Sequence, residues 1–232
     1  MMLTIAHLYP KLLNCCDNGN IITLQRRCEW RNIDVQIDEI NIGDKIEKHD
    51  MYFISGGQDL QQIDAFNEIQ RYKDFLTKEK GRGAVFLGIC GGYQLLGNYY
   101  QIFDGEKLEG IGLLDAYTIA SNKRFTGNVT IKTEYITPNE LVGFENHGGL
   151  TYLSGDTMPL GYAVVGNGNN GEDKTEGARH KNVFGTYMQG PFLPKNPHFT
   201  DYLIELVIGE KLPPIQDDTE WNAHNDLIYK QY

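Results

Sequence analysis

No stretch of this chain approaches the roughly 20 consecutive apolar residues that a membrane-spanning helix requires, which excludes a spanning protein as a reading. Positive charge is also scarce. Against 31 Asp and Glu stand 21 Lys and Arg, a formal charge of −10 with no basic cluster to relieve it, and such a balance disfavours nonspecific binding to nucleic acid or anionic lipid. Cysteine is sparse: Cys15, Cys16, Cys28 and Cys90 follow neither a disulfide framework nor a zinc-site spacing. The opening Met1-Met2-Leu3-Thr4-Ile5-Ala6-His7 lacks the positive segment of a secretory signal. Internal repeats are missing as well. These absences predict a cytoplasmic protein in a reducing compartment, with no metal and no membrane insertion.

What the chain does have is Gly88-Ile89-Cys90-Gly91-Gly92, which closes the apolar run Ala84-Val85-Phe86-Leu87 and opens a predicted helix. A cysteine at a sharp strand-to-helix turn is held in a strained backbone, with its side chain projecting above the sheet. The start of a helix favours a thiolate, and the amide N–H of Gly91 is placed to face a developing oxyanion. Most cysteines are inert, small, buried hydrophobes; the flanking glycines set Cys90 apart as a candidate nucleophile.

Apolar strands alternate with amphipathic helices, the pattern of a mostly parallel α/β sheet covered by helices on both faces. Strands are predicted at 3–9, 34–40 and 51–55, and helices at 21–30 and, from Ile63, Phe66, Ile69, Tyr72 and Leu76 at helical spacing, as far as Lys80. The second half shows short β runs at 129–132, 162–165 and 183–188 between glycine-rich turns, then a helix over 198–208. At 232 residues one domain is favoured, spanning 1–211. The proline-broken, acidic Leu212-Pro213-Pro214-Ile215-Gln216-Asp217-Asp218 opens a C-terminal tail over 212–232 that reads as irregular.

Ser55-Gly56-Gly57-Gln58-Asp59 ends the strand before the one that carries Cys90, at the sheet edge where open α/β folds place ligands. Neither dinucleotide nor Walker spacing is present in that loop, so its glycine amides read as a second oxyanion donor. A nucleophilic cysteine also needs a base, ordinarily histidine. Of His7, His49, His147, His180, His198 and His224, local context singles out His147, within Glu145-Asn146-His147-Gly148-Gly149.

Taken together, Gly56-Gly57-Gln58-Asp59, Gly88-Ile89-Cys90-Gly91-Gly92-Tyr93-Gln94-Leu95-Leu96-Gly97, Gly143-Phe144-Glu145-Asn146-His147 and Gly166-Asn167-Gly168-Asn169-Asn170 resemble the GatD-type glutaminase subunit of lipid II isoglutaminyl synthase, in the cobyric-acid-synthase-like branch of triad glutamine amidotransferases. The resemblance implies a flavodoxin-like, class I amidotransferase fold. Cys90 is then the nucleophile that attacks the carboxamide of L-glutamine, releasing ammonia and leaving a thioester for water to hydrolyse. Amides of Gly57 and Gly91 form the oxyanion hole, each donor worth about 3 kcal/mol, and Arg124 anchors substrate through its planar fork. No cofactor is implied for this chain. Its partner in a heterodimer would be a MurT-type, Mur-ligase-like subunit that uses ATP and Mg²⁺ to amidate D-glutamate of the lipid II stem peptide.

One departure stands out. The family pattern G-[ST]-Y-x-H-G-P reads Gly185-Thr186-Tyr187-Met188-Gln189-Gly190-Pro191 here, with Gln189 in the catalytic histidine's place. A carboxamide has no proton affinity near neutrality, and by analogy with triad knockouts turnover falls on the order of a thousandfold to a millionfold. Three readings follow: an engineered substitution, a natural lineage without glutaminase activity, or another histidine such as His147 in the role, the first two being favoured. The third triad member is open too, since Pro191 stands where many relatives carry glutamate; Asp17 and Glu145 are the candidates. The alternatives to a glutaminase subunit are a non-catalytic partner-binding subunit and an amidotransferase with another acceptor. A cysteine peptidase or a redox-sensing α/β protein trails these.

Overall fold

The computed structural model describes residues 2–13, 18–57, 59–103 and 105–229; Cys15, Cys16, Asp17 and Gln58 lie outside them. The first half runs β1 (Met2–Leu8), α1 (Asn18–Glu29), β2 (Asp34–Ile40), β3 (Met51–Ile54), α2 (Asp59–Ile69), α3 (Lys73–Arg82), β4 (Val85–Ile89) and α4 (Gly91–Leu96). The single helix expected up to Lys80 is therefore two, parted by a 3-10 turn at Gln70–Tyr72. Gly83 ends α3 with φ of 97°, a left-handed cap that returns its N–H to the carbonyls of Glu79 and Lys80.

The second half adds β5 (Tyr99–Gln101), β6 (Lys107–Glu109), β7 (Ala116–Lys132), β8 (Glu140–Leu153), β9 (Gly161–Val165), β10 (Thr175–Glu176), β11 (Ala178–His180), β12 (Val183–Thr186), α5 (Pro197–Ile208) and α6 (Asp218–Tyr229). Two sheets result. The first has the order β11-β12-β4-β3-β1-β2 and is parallel except for β11, which runs against β12. The second, β10-β9-β7-β5-β6 with β8 on β7, is mainly antiparallel and was not foreseen. Its long strand β7 carries the polar run Ser121-Asn122-Lys123-Arg124 in mid-course, which breaks the period-two signal everywhere except 129–132.

The central strands of the first sheet bury both faces. Tyr52, Ile54 and Phe86 pack with Phe66, Ile69 and Leu76 of α2 and α3, while Met51, Phe53, Val85 and Leu87 pack with Leu24 and Cys28 of α1 and Phe199 and Leu203 of α5. Val129, Ile131 and Leu141 of the second sheet join this latter cluster. Where the sheets meet, β8 lies so close to the chain after β12 that a Cβ on Gly143 would stand 2.5 Å from that of Met188.

Beyond Lys211 the proline-broken stretch through residue 217 has no regular secondary structure, as expected, but residues 218–229 form α6 rather than an irregular tail. Asp217 and Asp201 both bind the buried Arg27 guanidinium, at 2.7 and 2.6 Å, and Arg31 joins Asp201 at 2.7 Å. Helix α6 then packs Trp221 against His198 and buries His224, whose Nδ1 meets the Lys195 carbonyl at 2.7 Å.

Candidate active site

Cys90 occupies the turn between β4 and α4 with φ of 53° and ψ of −110°, a region that costs a side-chain-bearing residue on the order of 1–3 kcal/mol. Its backbone N–H donates to the Thr186 carbonyl at 2.8 Å, so the last residue of β12 fixes the turn. Strain falls on the cysteine itself, since Gly88, Gly91 and Gly92 all keep φ outside the left-handed region. Those glycines supply room instead: a Cβ on Gly92 would lie 2.1 Å from the Ile54 carbonyl oxygen. Helix α4 has only six residues, so its dipole is a weak influence on the thiol.

The loop after β3 closes on this turn. A Cβ on Gly56 would lie 2.9 Å from that of Cys90 and 3.3 Å from the Gly91 nitrogen, so the two glycine segments proposed to share an oxyanion lie edge to edge. Above them opens a cleft of about 360 Å³ lined by Gly57, Gln62, Cys90, Gln94, Arg124 and His147 among others. Lys123 and Arg124 are its charged lining, with no carboxylate opposing them among the described residues, so the cleft favours a ligand that bears an anionic group.

Arg124 reaches the cleft because the β7–β8 pairing shifts register between Ala120 and Phe125. A regular strand turns alternate residues away, but a bulge re-aims them, and Ala120 to Arg124 all line the cleft. The exposed guanidinium donates through Nε to Asn146 Oδ1 at 2.8 Å. Gln189 is held beside the cleft, outside its lining. Its backbone N–H donates to the Phe144 carbonyl at 3.0 Å and its side-chain Nε2 to the Asn146 carbonyl at 3.1 Å, which stitches the end of the β12 segment to β8.

His147 lines the cleft but is poorly suited to act as a base. Burial pushes its pKa down to about 4, its Nδ1 is engaged with the Gly149 carbonyl at 2.8 Å, and its ring lies flat on Tyr187 at 3.6 Å. Glu145 is committed elsewhere as well: it accepts from Asn167 Nδ2 at 2.6 Å and from the backbone N–H groups of Asn167 and Gly168, bracing that turn. Asp17 lies outside the described residues.

Sequence reasoning passed over the polar chain beneath the cleft. Gln62 donates to Gln94 at 3.0 Å, Gln94 to the Tyr187 hydroxyl at 3.2 Å, and that hydroxyl shares a 2.6 Å bond with Thr151. Gln94 sits one helical turn after Cys90, a spacing that marks it as facing the same way. Below lies Glu176, fully buried, which accepts from Thr186 Oγ1 at 2.9 Å and from the Tyr187 N–H at 2.7 Å.

A strained cysteine turn thus sits on a parallel sheet that an antiparallel one backs. Residues 4–197 match the CobB/CobQ-like glutamine amidotransferase domain, and the chain belongs to that family. Within it the chain is of the GatD type: it is 45% identical to the subunit GatD of lipid II isoglutaminyl synthase (glutamine-hydrolyzing) from Staphylococcus aureus strain N315, over 97% of this chain and 95% of that protein. The Streptococcus pneumoniae R6 subunit of the same name is 37% identical over 99% of this chain and 88% of its own. Among solved structures, PurLQS from Thermotoga maritima shares the fold with a TM-score of 0.60 at 17% identity, over 98% of this chain and 100% of that one.

Proposed function

We propose that this chain is the glutamine-binding subunit of a lipid II isoglutaminyl synthase, built for hydrolysis of L-glutamine at Cys90 and halted by Gln189. The observation that carries the reading is Cys90 in a strained elbow, facing a cleft whose charged lining is cationic. In the reaction the site is built for, the Cys90 sulfur attacks the carboxamide carbon and the oxyanion forms against the amides of Gly57 and Gly91. Collapse then expels ammonia, and water hydrolyses the γ-glutamyl thioester to glutamate and thiol. Arg124 holds the substrate carboxylate. Ammonia leaves for a MurT-type ligase partner, which binds ATP and Mg²⁺ and amidates D-glutamate of the stem peptide; this chain needs no cofactor of its own. The work belongs in the cytoplasm, where the ligase's nucleotide is.

Expulsion of ammonia needs a proton donor, and attack needs an acceptor. The Gln189 carboxamide supplies neither, and its nitrogen donates to the Asn146 carbonyl. That contact favours, as the second reading, a subunit that docks the ligase without making ammonia. Glutamate release, assayed with the ligase partner present, separates the two. Gln189→His is expected to raise turnover by at least a thousandfold, and Cys90→Ala in that background to abolish it. Full activity in the unaltered chain would sink the assignment of position 189; silence in Gln189→His leaves the docking subunit.

A further inference from the structure

We infer that Asn146 is a positioning residue for substrate recognition, acting through Arg124. The inference rests on the reading of the cleft as a glutamine site. Arg124 lies on an exposed bulge, where a long side chain has many rotamers and every one but the productive conformer works against binding. Asn146 removes that freedom. Its Oδ1 takes the Nε–H of Arg124 at 2.8 Å, the one nitrogen of the guanidinium that a ligand approaching the end of the fork does not need. Among the described residues neither terminal nitrogen is tied to an acceptor, so the pair stays available for a bidentate carboxylate. The tether is a neutral carbonyl oxygen rather than a carboxylate, so the positive charge is steered without being cancelled.

Asn146 is itself anchored. Its main-chain carbonyl receives Gln189 Nε2 at 3.1 Å, two residues past the bridge in which the Gln189 N–H meets the Phe144 carbonyl. One strand residue therefore contacts the substrate anchor through its side chain and position 189 through its backbone. Thr126 Oγ1 approaches the same Oδ1 at 3.5 Å and leaves the Arg124 bond as the stronger of the two.

The test is calorimetric titration of the full chain with L-glutamine and with L-glutaminamide, whose α-carboxylate is replaced by a carboxamide. The ratio of the two affinities reports the carboxylate contact alone. Arg124→Ala should erase a preference of about a hundredfold, and Asn146→Ala should cut it by about tenfold. In an Arg124→Lys background, which lacks the Nε and the fork, Asn146→Ala should change the ratio no further. Asn146→Val, at home in a strand and without an acceptor, repeats the measurement should the alanine variant fail to fold. An unchanged ratio in the Asn146 variants, or an equal loss for both ligands, overturns the inference while Arg124→Ala still acts. If Arg124→Ala leaves the ratio intact, the glutamine-site reading of Arg124 falls, and this inference falls with it.

Discussion

Cys90 keeps a backbone conformation that its own side chain disfavours, and the compensation comes from residues distant in sequence: the Thr186 carbonyl that takes its N–H and the bare backbone of Gly92 against Ile54. Beneath that contact sits a second unusual residue. Burial pushes the Glu176 carboxyl up to about 7 from its ordinary 4.5, against hydrogen bonds from Tyr187 and Thr186 that pull the other way, with Glu145 adding to the rise. The unfolded chain releases this proton near 4.5 and the folded one holds it to about 7. Stability is therefore greatest at the acid end of that window and falls as pH rises through it, by about 3 kcal/mol in all. Glu176→Gln keeps an acceptor for the Tyr187 N–H and removes the titration. The change in urea midpoint from pH 5 to pH 8 should then be more positive in the variant than in the parent, because the buried His7, His147 and His198, held down to about 4, raise stability over the same range and are no longer opposed; an identical change would show that Glu176 does not titrate in this window. The Cys90 elbow was legible because glycine and cysteine crowd into five residues. Glu176 was not, because a glutamate between Thr175 and Gly177 looks like any turn residue until the chain folds over it.

At the scale of elements, the segment after Lys211 shows how local composition misleads. Two prolines and a run of acids read as irregular, yet Asp217 turns inward to Arg27 and α6 covers the 193–197 turn. Trp221 and His224, three apart, were the helical signal; both face His198. A chain ended at Lys211 loses one of the two carboxylates on a guanidinium that is 2% exposed, besides the cover over His198. Breaking a buried ion pair costs about 3 kcal/mol or more, so the truncated chain should melt roughly 6 to 12 °C lower. Equal melting temperatures would mean that α6 is only appended. The bulge in β7 carries the opposite lesson. Its polar run hid a 17-residue strand from the periodicity reading, and the same interruption turns Arg124 into the cleft.

In the whole molecule the parallel sheet was readable from alternating strands and helices, because β3 and β4 are apolar throughout. The antiparallel sheet was not, since its longest strand, β7, is interrupted in mid-course by the polar residues 121–124, where its pairing with β8 shifts register. The two sheets nonetheless share a core: Val129, Ile131 and Leu141 pack in the cluster that holds Phe53, Leu87 and Phe199. Common packing of this kind predicts one cooperative transition. Far- and near-ultraviolet circular dichroism should follow the same urea curve, and a plateau that retained half the signal would show that the sheets unfold apart.

The contact of Gly143 with Met188 lies on the line where those sheets meet. Cys90 is fixed to one frame and Arg124 to the other, so the site is a caliper whose jaws share no strand. The spacing of the jaws is set along this line, well away from both side chains, and the missing side chain at position 143 is what lets the two frames approach so closely there.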